Sequence, residues 1–297
     1  MDTVVALDVG GTKLAAALVG EDASIHRRAV VPTPAHGSAE EMWAAVTSLL
    51  DPLAGRSPAV GTAAGPAAGV AIGVGSGGPM TSGGVSVSPL NIPAWRDFPL
   101  LGRLSERYGL PVRVDNDAKA LAAGEARWGA AVGVDDFIAM VVSTGVGGGI
   151  VLGGELLDGA DGNAGHIGHV IVEPDGRPCA CGARGCLEAE ASGTAIAAIT
   201  GRPSAEAPVE VRRRTGTLVG RAVASVANLL DLRLALVAGS VALGFGDDFF
   251  EAASAELDRS ARLTFCRGAV IRPGGLGADG PLLGAAAVGF RALVTHE

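Results

Sequence analysis

Val4-Val5-Ala6-Leu7-Asp8-Val9-Gly10-Gly11-Thr12-Lys13 sets the plan of the whole chain. Residues 4–9, apolar except for one acid, predict a short buried strand. Gly10-Gly11-Thr12 predicts a turn, and the apolar run that resumes from Lys13 to Val19 completes a hairpin. A second segment has the same plan at 137–153. A strand Phe137 to Val142 runs into Ser143-Thr144-Gly145-Val146-Gly147-Gly148-Gly149, and Ile150-Val151-Leu152 resumes it. The two segments differ in sequence but share an architecture, each presenting backbone N–H groups unobstructed by side chains. Two similar α/β halves facing a cleft are therefore expected.

The rest of the chain fills in around these hairpins. Ser38 with Glu41 is a capping box, predicting a helix to about Leu50. Residues 53–68, rich in Pro, Gly and Ala, read as a surface connection. Val70 to Val74 is a buried strand entering a glycine-rich turn. Pro111 to Val114 is another, ending at Asp115-Asn116-Asp117 before a helix from Ala118 to Trp128. Further helices are expected over about Gly220 to Leu230, Phe249 to Leu263 and Leu282 to Leu293. A strand Leu234 to Val237 precedes Ala238-Gly239-Ser240.

Composition narrows the class. A chain of 297 residues is best accommodated as two domains, and 48% hydrophobic residues exclude a disordered polypeptide. No uninterrupted apolar run reaches about 18 residues, so no membrane span is expected. Met1-Asp2-Thr3-Val4 leads straight into a strand without a basic region, so no signal peptide and a cytoplasmic location are expected. A formal charge of −8 argues against nucleic-acid binding.

Chemistry concentrates in three places. Asp8 stands beside a turn without bulky side chains, where Gly10 and Gly11 let the backbone approach phosphate oxygens. Thr12 and Lys13 can donate to them, and Asp8 can hold a hydrated Mg2+. Glycine hairpins are also often plain turns, and the Walker phosphate-loop pattern is absent. The turn at Thr144, Gly145 and Gly147 fits a second phosphate clamp. Asn116-Asp117, at a strand end and helix start, reads either as a helix cap or as a general base; both hold if one residue caps and the other is the base.

The third place is His169 followed by Cys179-Ala-Cys181-Gly-Ala-Arg-Gly-Cys186-Leu-Glu188. Three thiolates and an imidazole can close a tetrahedral Cys3His zinc site with no open position, which is the pattern of a structural metal. The alternative is a disulfide pair with spare thiols. Cys179 and Cys181 are too close for an easy bridge, and the expected reducing compartment disfavours one.

Taken in order, Asp8-x-Gly-Gly-Thr-Lys13, Asn116-Asp117-Ala118, Thr144-Gly-Val-Gly-Gly-Gly149, Ile167-Gly168-His169 and the Cys179–Glu188 segment resemble the ROK family of bacterial sugar kinases, open-reading-frame proteins and repressors. Asn91-Ile-Pro-Ala-Trp95 and Ala238-Gly239-Ser240 extend the resemblance over nearly the whole chain. It implies a two-domain actin-like ATPase fold with ribonuclease H-like halves and an interdomain cleft. The halves would be residues 1–116, joined by a C-terminal helix at about 282–297, and a larger domain of 117–281 carrying the zinc loop. It implies phosphorylation of a hexose or amino-sugar hydroxyl, the 6-hydroxyl, with ATP as donor. Asp117 would be the base, and Asn116, His166, His169 and Glu188 would bind the sugar. Asp8, Gly10, Gly11, Thr12, Lys13, Thr144, Gly145, Gly147 and Gly239 would serve Mg2+ and ATP, and His169, Cys179, Cys181 and Cys186 would hold Zn2+. A homodimer or homotetramer is implied as well. Family repressors carry an N-terminal helix-turn-helix; with the phosphate strand beginning at Val4, a regulator is disfavoured, while a sugar sensor without kinase activity is the alternative.

Two positions depart from the family pattern. His166 stands where a glutamate usually accepts hydrogen bonds from the sugar, replacing an acceptor-only group by a ring that donates or accepts. Lys119 replaces the last residue of Asn-Asp-Ala-Asn. It reads as a solvated side chain snorkelling from the first helical turn, the other reading being a charge that lowers the pKa of Asp117.

Overall fold

The computed structural model describes residues 2–55 and 69–294, so most of the expected connection at 53–68 lies outside the described residues. The first half runs β1 (Thr3–Val9), β2 (Lys13–Gly20), β3 (Ile25–Pro32), α1 (Ala39–Leu50), β4 (Ile72–Ser76), α2 (Leu100–Tyr108), β5 (Val112–Asn116) and α3 (Asp117–Trp128). The second runs β6 (Phe137–Val142), β7 (Val146–Leu152), β8 (Glu155–Leu156), α4 (Leu187–Ala191), α5 (Gly193–Thr200), α6 (Val209–Leu230), β9 (Leu234–Ala238), α7 (Ser240–Phe245), α8 (Asp247–Ser260) and β10 (Val270–Pro273), before a last helix α9 (Gly280–Val294).

Each half builds one five-stranded sheet, and the two sheets share one topology. In the first the order is β3-β2-β1-β4-β5, an antiparallel meander β1–β3 continued by parallel β4 and β5. In the second it is β10-β9-β6-β7-β8, with β6–β8 antiparallel and β9 and β10 parallel to β6. This is the ribonuclease H-like arrangement that the family resemblance implied; the two hairpins by themselves pointed only to two similar α/β halves. The compact units are residues 1–128 with 158–164 and 278–297, and 129–157 with 165–277. Thus α3 belongs to the first unit, where the sequence reading had ended that domain at 116.

Strand periodicity explains the packing of the first unit. Val5, Leu7, Val9, Leu14, Ile72 and Val74 face a core completed by Met42, Val46 and Leu50 of α1 and by Trp95, Leu100 and Leu104. The opposite face carries Ala6, Ala15, Ala17, Gly73 and Gly75, small residues against which α3 and α9 pack. A side chain at Gly73 would fall onto the backbone of Ala285 and Gly289, so this glycine sets the approach of α9 to β4. The capping box at α1 is present in full: Glu41 N–H donates to Ser38 Oγ and Ser38 N–H to Glu41 Oε2. In the second unit α6 and α8 cover a core of Ile138, Met140, Leu218, Val223, Val237 and Phe249. The helix α6 begins at Val209, not near 220; the sequence did not show this start because the first turns carry Arg212, Arg213 and Arg214 and lack an apolar rhythm. Among the described residues no helix is long and apolar enough to cross a membrane.

Candidate functional site

In the first unit, parallel pairing brings one set of predicted residues to a single sheet edge. Asp8 is in register with Gly75, and Gly75 with Asp115; Val9, Ser76 and Asn116 form the next row. The carboxyl ends of β1, β4 and β5 therefore lie side by side, where ligands of open α/β sheets are bound. The β1–β2 turn is closed by the Gly10 N–H donating to Lys13 O (3.2 Å), and Thr33 fastens it from β3's end. The Thr33 hydroxyl donates to Gly10 O (2.6 Å) and its N–H to Thr12 O (3.1 Å). Thr12 and Lys13 are exposed, and Gly10 and Gly11 half-buried.

The Asn116-Asp117 pair divides its work. Asn116 Oδ1 accepts from the Ala118 N–H (3.0 Å) and, more weakly, from Lys119 N–H (3.4 Å), which makes it the cap of α3. Asp117 stands exposed at the first helical position, its Oδ1 accepting from Ala118 N–H at 2.8 Å. Burial, and next the nearby Asp117 charge, push Asp8 up to about 7 despite Lys13. A carboxylate made uncomfortable by desolvation and a like charge is one that a divalent cation relieves, so Asp8 fits a Mg2+ ligand.

Lys119 overturns the solvated reading. Its side chain is 2% exposed. Nζ lies 3.0 Å from Asp115 Oδ1, 2.6 Å from Asp158 Oδ1 and 3.1 Å from Gly162 O. All three ammonium protons thus have acceptors, and the flanking carboxylates offset the charge. Asp115, at the end of β5 just before α3, was not read as its partner. Asp158, 39 residues downstream, left no local signal.

The second unit gathers the remaining predicted residues. Ser143 N–H donates to Gly145 O (2.9 Å), forming the β6–β7 turn. Thr194 of α5 donates through its hydroxyl to Thr144 O (3.0 Å), and Ser143 Oγ meets Ser240 Oγ at 3.0 Å. Gly239 therefore sits next to the turn of Thr144, Gly145 and Gly147, with two helix starts, α5 and α7, alongside. Glu188 reaches the same turn, its Oε2 accepting from the Val146 N–H at 2.9 Å.

His166 and His169 flank the short 3-10 turn Ile167–His169, which packs on the start of β7. It follows Gly165, whose φ of +97° favours glycine and whose Cβ position is filled by the Gly148 carbonyl. The two rings lie 6.1 Å apart, His166 exposed and His169 half-buried.

The Cys3His cluster is assembled. One ligand atom each from His169, Cys179, Cys181 and Cys186 lies within 4.8 Å of every other. Cys181 and Cys186 sulfurs are 3.7 Å apart, and Cys179 Sγ is 3.7 Å from His169 Nδ1. A tetrahedron with Zn–S of about 2.3 Å and Zn–N of about 2.0 Å has edges of about 3.5–3.8 Å, so the donors fit zinc. The cysteines are free thiols rather than a disulfide. Burial, and then the neighbouring sulfurs, push the Cys186 thiol up to about 12, so it would need a bound cation to be a thiolate at neutral pH. Buried Glu190 also braces the loop, accepting from Arg177 N–H (2.6 Å) and Arg214 Nη2 (2.7 Å). Thr33, Asp158, Glu190, Thr194 and Arg214 were not singled out from sequence; each acts through a distant partner that no motif spacing announces.

Comparison with known proteins agrees with this layout. The sequence profile of the ROK family matches residues 4–291. An N-acetylmannosamine kinase of Escherichia fergusonii is 36% identical over 260 residues, covering 82% of this chain and 85% of that one. A ROK hexokinase from Thermus thermophilus superposes with a TM-score of 0.83 at 33% identity, over 98% of this chain and 99% of its own. A ROK family glucokinase from Streptomyces griseus, solved in complex with glucose and AMPPNP, gives 0.80 at 31% identity, over 97% and 99%. The shared halves are those of the actin-like ATPase fold. With one profile spanning both sheets and the cysteine loop, the chain belongs to the ROK family.

Proposed function

We propose that this protein is a sugar kinase that transfers the γ-phosphoryl group of ATP to a hydroxyl of a hexose or amino sugar, the 6-hydroxyl. The observation that carries this reading is the sheet edge where exposed Asp117 stands close enough to half-buried Asp8 to raise its pKa, beside the glycine turn that follows β1. Asp117 accepts the hydroxyl proton as the oxygen bonds to the γ-phosphorus and the bond to the ADP oxygen breaks. Such base catalysis contributes about 10²–10⁴-fold, positioning and charge neutralisation supplying the rest. Asn116, fixed by its capping bonds, orients a neighbouring hydroxyl. The turns at Gly10–Lys13 and Thr144–Gly147 offer N–H donors to phosphate oxygens, and Gly239 borders the adenosine. Asp8 would hold Mg2+, which neutralises phosphate charge.

The Cys3His cluster would hold zinc as a structural ion. With Nδ1 on the metal side, the other ring nitrogen of His169 is left for a sugar hydroxyl. Glu188, tied to the Val146 N–H, joins the hydroxyl-binding set to the phosphate turn. His166, donor or acceptor according to protonation, adjusts the choice of sugar. Relatives named N-acetylmannosamine kinase, hexokinase and glucokinase support the acceptor class without fixing its member. A cytoplasmic homodimer or homotetramer is part of the same reading.

A panel of glucose, mannose, glucosamine, N-acetylglucosamine and N-acetylmannosamine with Mg-ATP tests the acceptor. Turnover on one or a few of them is expected. In His166→Glu the ranking shifts toward glucose; an unchanged ranking would remove His166 from recognition.

A further inference from the structure

Lys119 occupies a place that costs a cation twice. It lies in the first turn of α3, at the positive end of the helix dipole, and its side chain is 2% exposed. The cost is met by a full set of acceptors, all within the first unit: Asp115 Oδ1 at 3.0 Å, Asp158 Oδ1 at 2.6 Å and Gly162 O at 3.1 Å. Two of them come from residues 39 and 43 positions further along the chain, so the ammonium is anchored from outside α3. Buried ion sets of this kind can often be replaced by apolar side chains with no loss of stability, so stability alone is a poor reason for one here.

The remaining acceptor, Asp115, leads to Asp117. β5 passes into α3 with no connecting residue, Asn116 closing the strand and Asp117 opening the helix. Asp115 Oδ1, the atom that faces Lys119 Nζ, also accepts from the Asn116 N–H at 2.9 Å. Asn116 Oδ1 in turn accepts from the N–H groups of Ala118 (3.0 Å) and Lys119 (3.4 Å). The bonds close on themselves. The lysine holds the Asp115 carboxylate, the carboxylate holds the peptide ahead of Asp117, and Asn116 ties that peptide back to the lysine's own N–H. We infer that Lys119 is a positioning residue that, acting through Asp115, sets the direction in which Asp117 leaves the sheet edge. With three protein acceptors, its ammonium has no proton left for a substrate. The catalytic consequence rests on the kinase reading; the bonded corner itself does not.

Kinetics on folded protein separate a positioning role from a stabilising one. Lys119→Ala, Asp115→Ala and the double variant are assayed for ADP release on the sugar that wild type turns over best, per mole of protein that binds AMPPNP in calorimetry. In both single variants kcat is expected to fall at least about tenfold, since small misplacements of a reacting group carry penalties of this order. The Mg-ATP KM stays within about twofold, because binding common to ground and transition states is untouched. The double variant is no slower than Asp115→Ala, because the lysine acts through that carboxylate. Unchanged kcat in either single variant, or losses that multiply in the double variant, would overturn the inference. If Lys119→Ala does not fold, the double variant, which buries neither charge of the pair, is set against Asp115→Ala: equal kcat upholds the inference and a further loss overturns it. If wild type releases no ADP on any sugar, the kinase reading falls by itself. Hydrogen exchange over 115–119 then decides the corner, faster exchange in Lys119→Ala with α9 unchanged upholding it and unchanged exchange overturning it.

Discussion

Asp8 and Lys119 both bring charge to the α3 side of the same sheet and meet opposite surroundings. Lys119 finds two carboxylates and a carbonyl, whereas Asp8 finds burial and a second carboxylate. The pH dependence follows from the sign. The Asp8 pKa is raised from an ordinary 3.8 to about 7, so the folded state holds a proton that the unfolded chain has lost. Stability contributed by that proton is full below about pH 4 and is lost as pH rises through about 7. Asp8→Asn is therefore expected to melt above wild type at about pH 8 without Mg2+, the gap closing near pH 4, while Mg-ATP affinity falls. Thermal scans at both pH values check this; an equal shift at both would refute it. Removing the other charge acts the opposite way. Lys119→Met leaves Asp115 buried without its cation and should lower stability by about 3 kcal/mol in urea titrations. The Lys119 environment escaped the sequence because one partner sits at a strand end and the other comes from a loop 39 residues away, and neither shares a helix face with it.

Among the elements, those with strong periodicity were legible and those without were not. The capping box fixed the start of α1, and apolar runs gave β1, β2, β4, β6 and β9 within a few residues. β3 was missed because it is an edge strand carrying His26, Arg27 and Arg28, the charges that discourage edge pairing. Helix α2 starts at Leu100 after Pro99, which offers no side-chain cap. The cysteine loop was readable because three thiolates and a histidine form a nearly closed donor set, whereas the Arg214–Glu190 and Arg221–Glu173 braces were not. These braces make a specific expectation. Zinc should be present at about one ion per chain, and its removal by chelator should leave far-UV circular dichroism largely intact while sugar affinity drops. Global unfolding on chelation would show that the metal, not the ion pairs, holds the domain. Gly73→Ala probes the other side of the fold: a methyl on the Ala285 backbone should cost about 3 kcal/mol and shift the denaturation midpoint accordingly.

At the scale of the whole molecule, the two glycine hairpins disclosed two similar α/β halves, and the structure adds their shared strand order, an antiparallel meander followed by parallel strands, once in each half. What sequence left open was membership at the seams. α3 and the 158–164 segment join the first unit, which no composition shift marks, whereas the place of α9 there was expected from the family resemblance. The family likeness spans both halves, and the proposed phosphoryl transfer assigns residues of each. The most direct test of that reaction is ADP release by Asp117→Asn, measured with saturating Mg-ATP on the sugar that wild type turns over best. The account predicts loss of at least about 100-fold in kcat, with sugar Kd, zinc content and Tm close to wild type. Turnover near the wild-type rate would contradict it and remove Asp117 as the base.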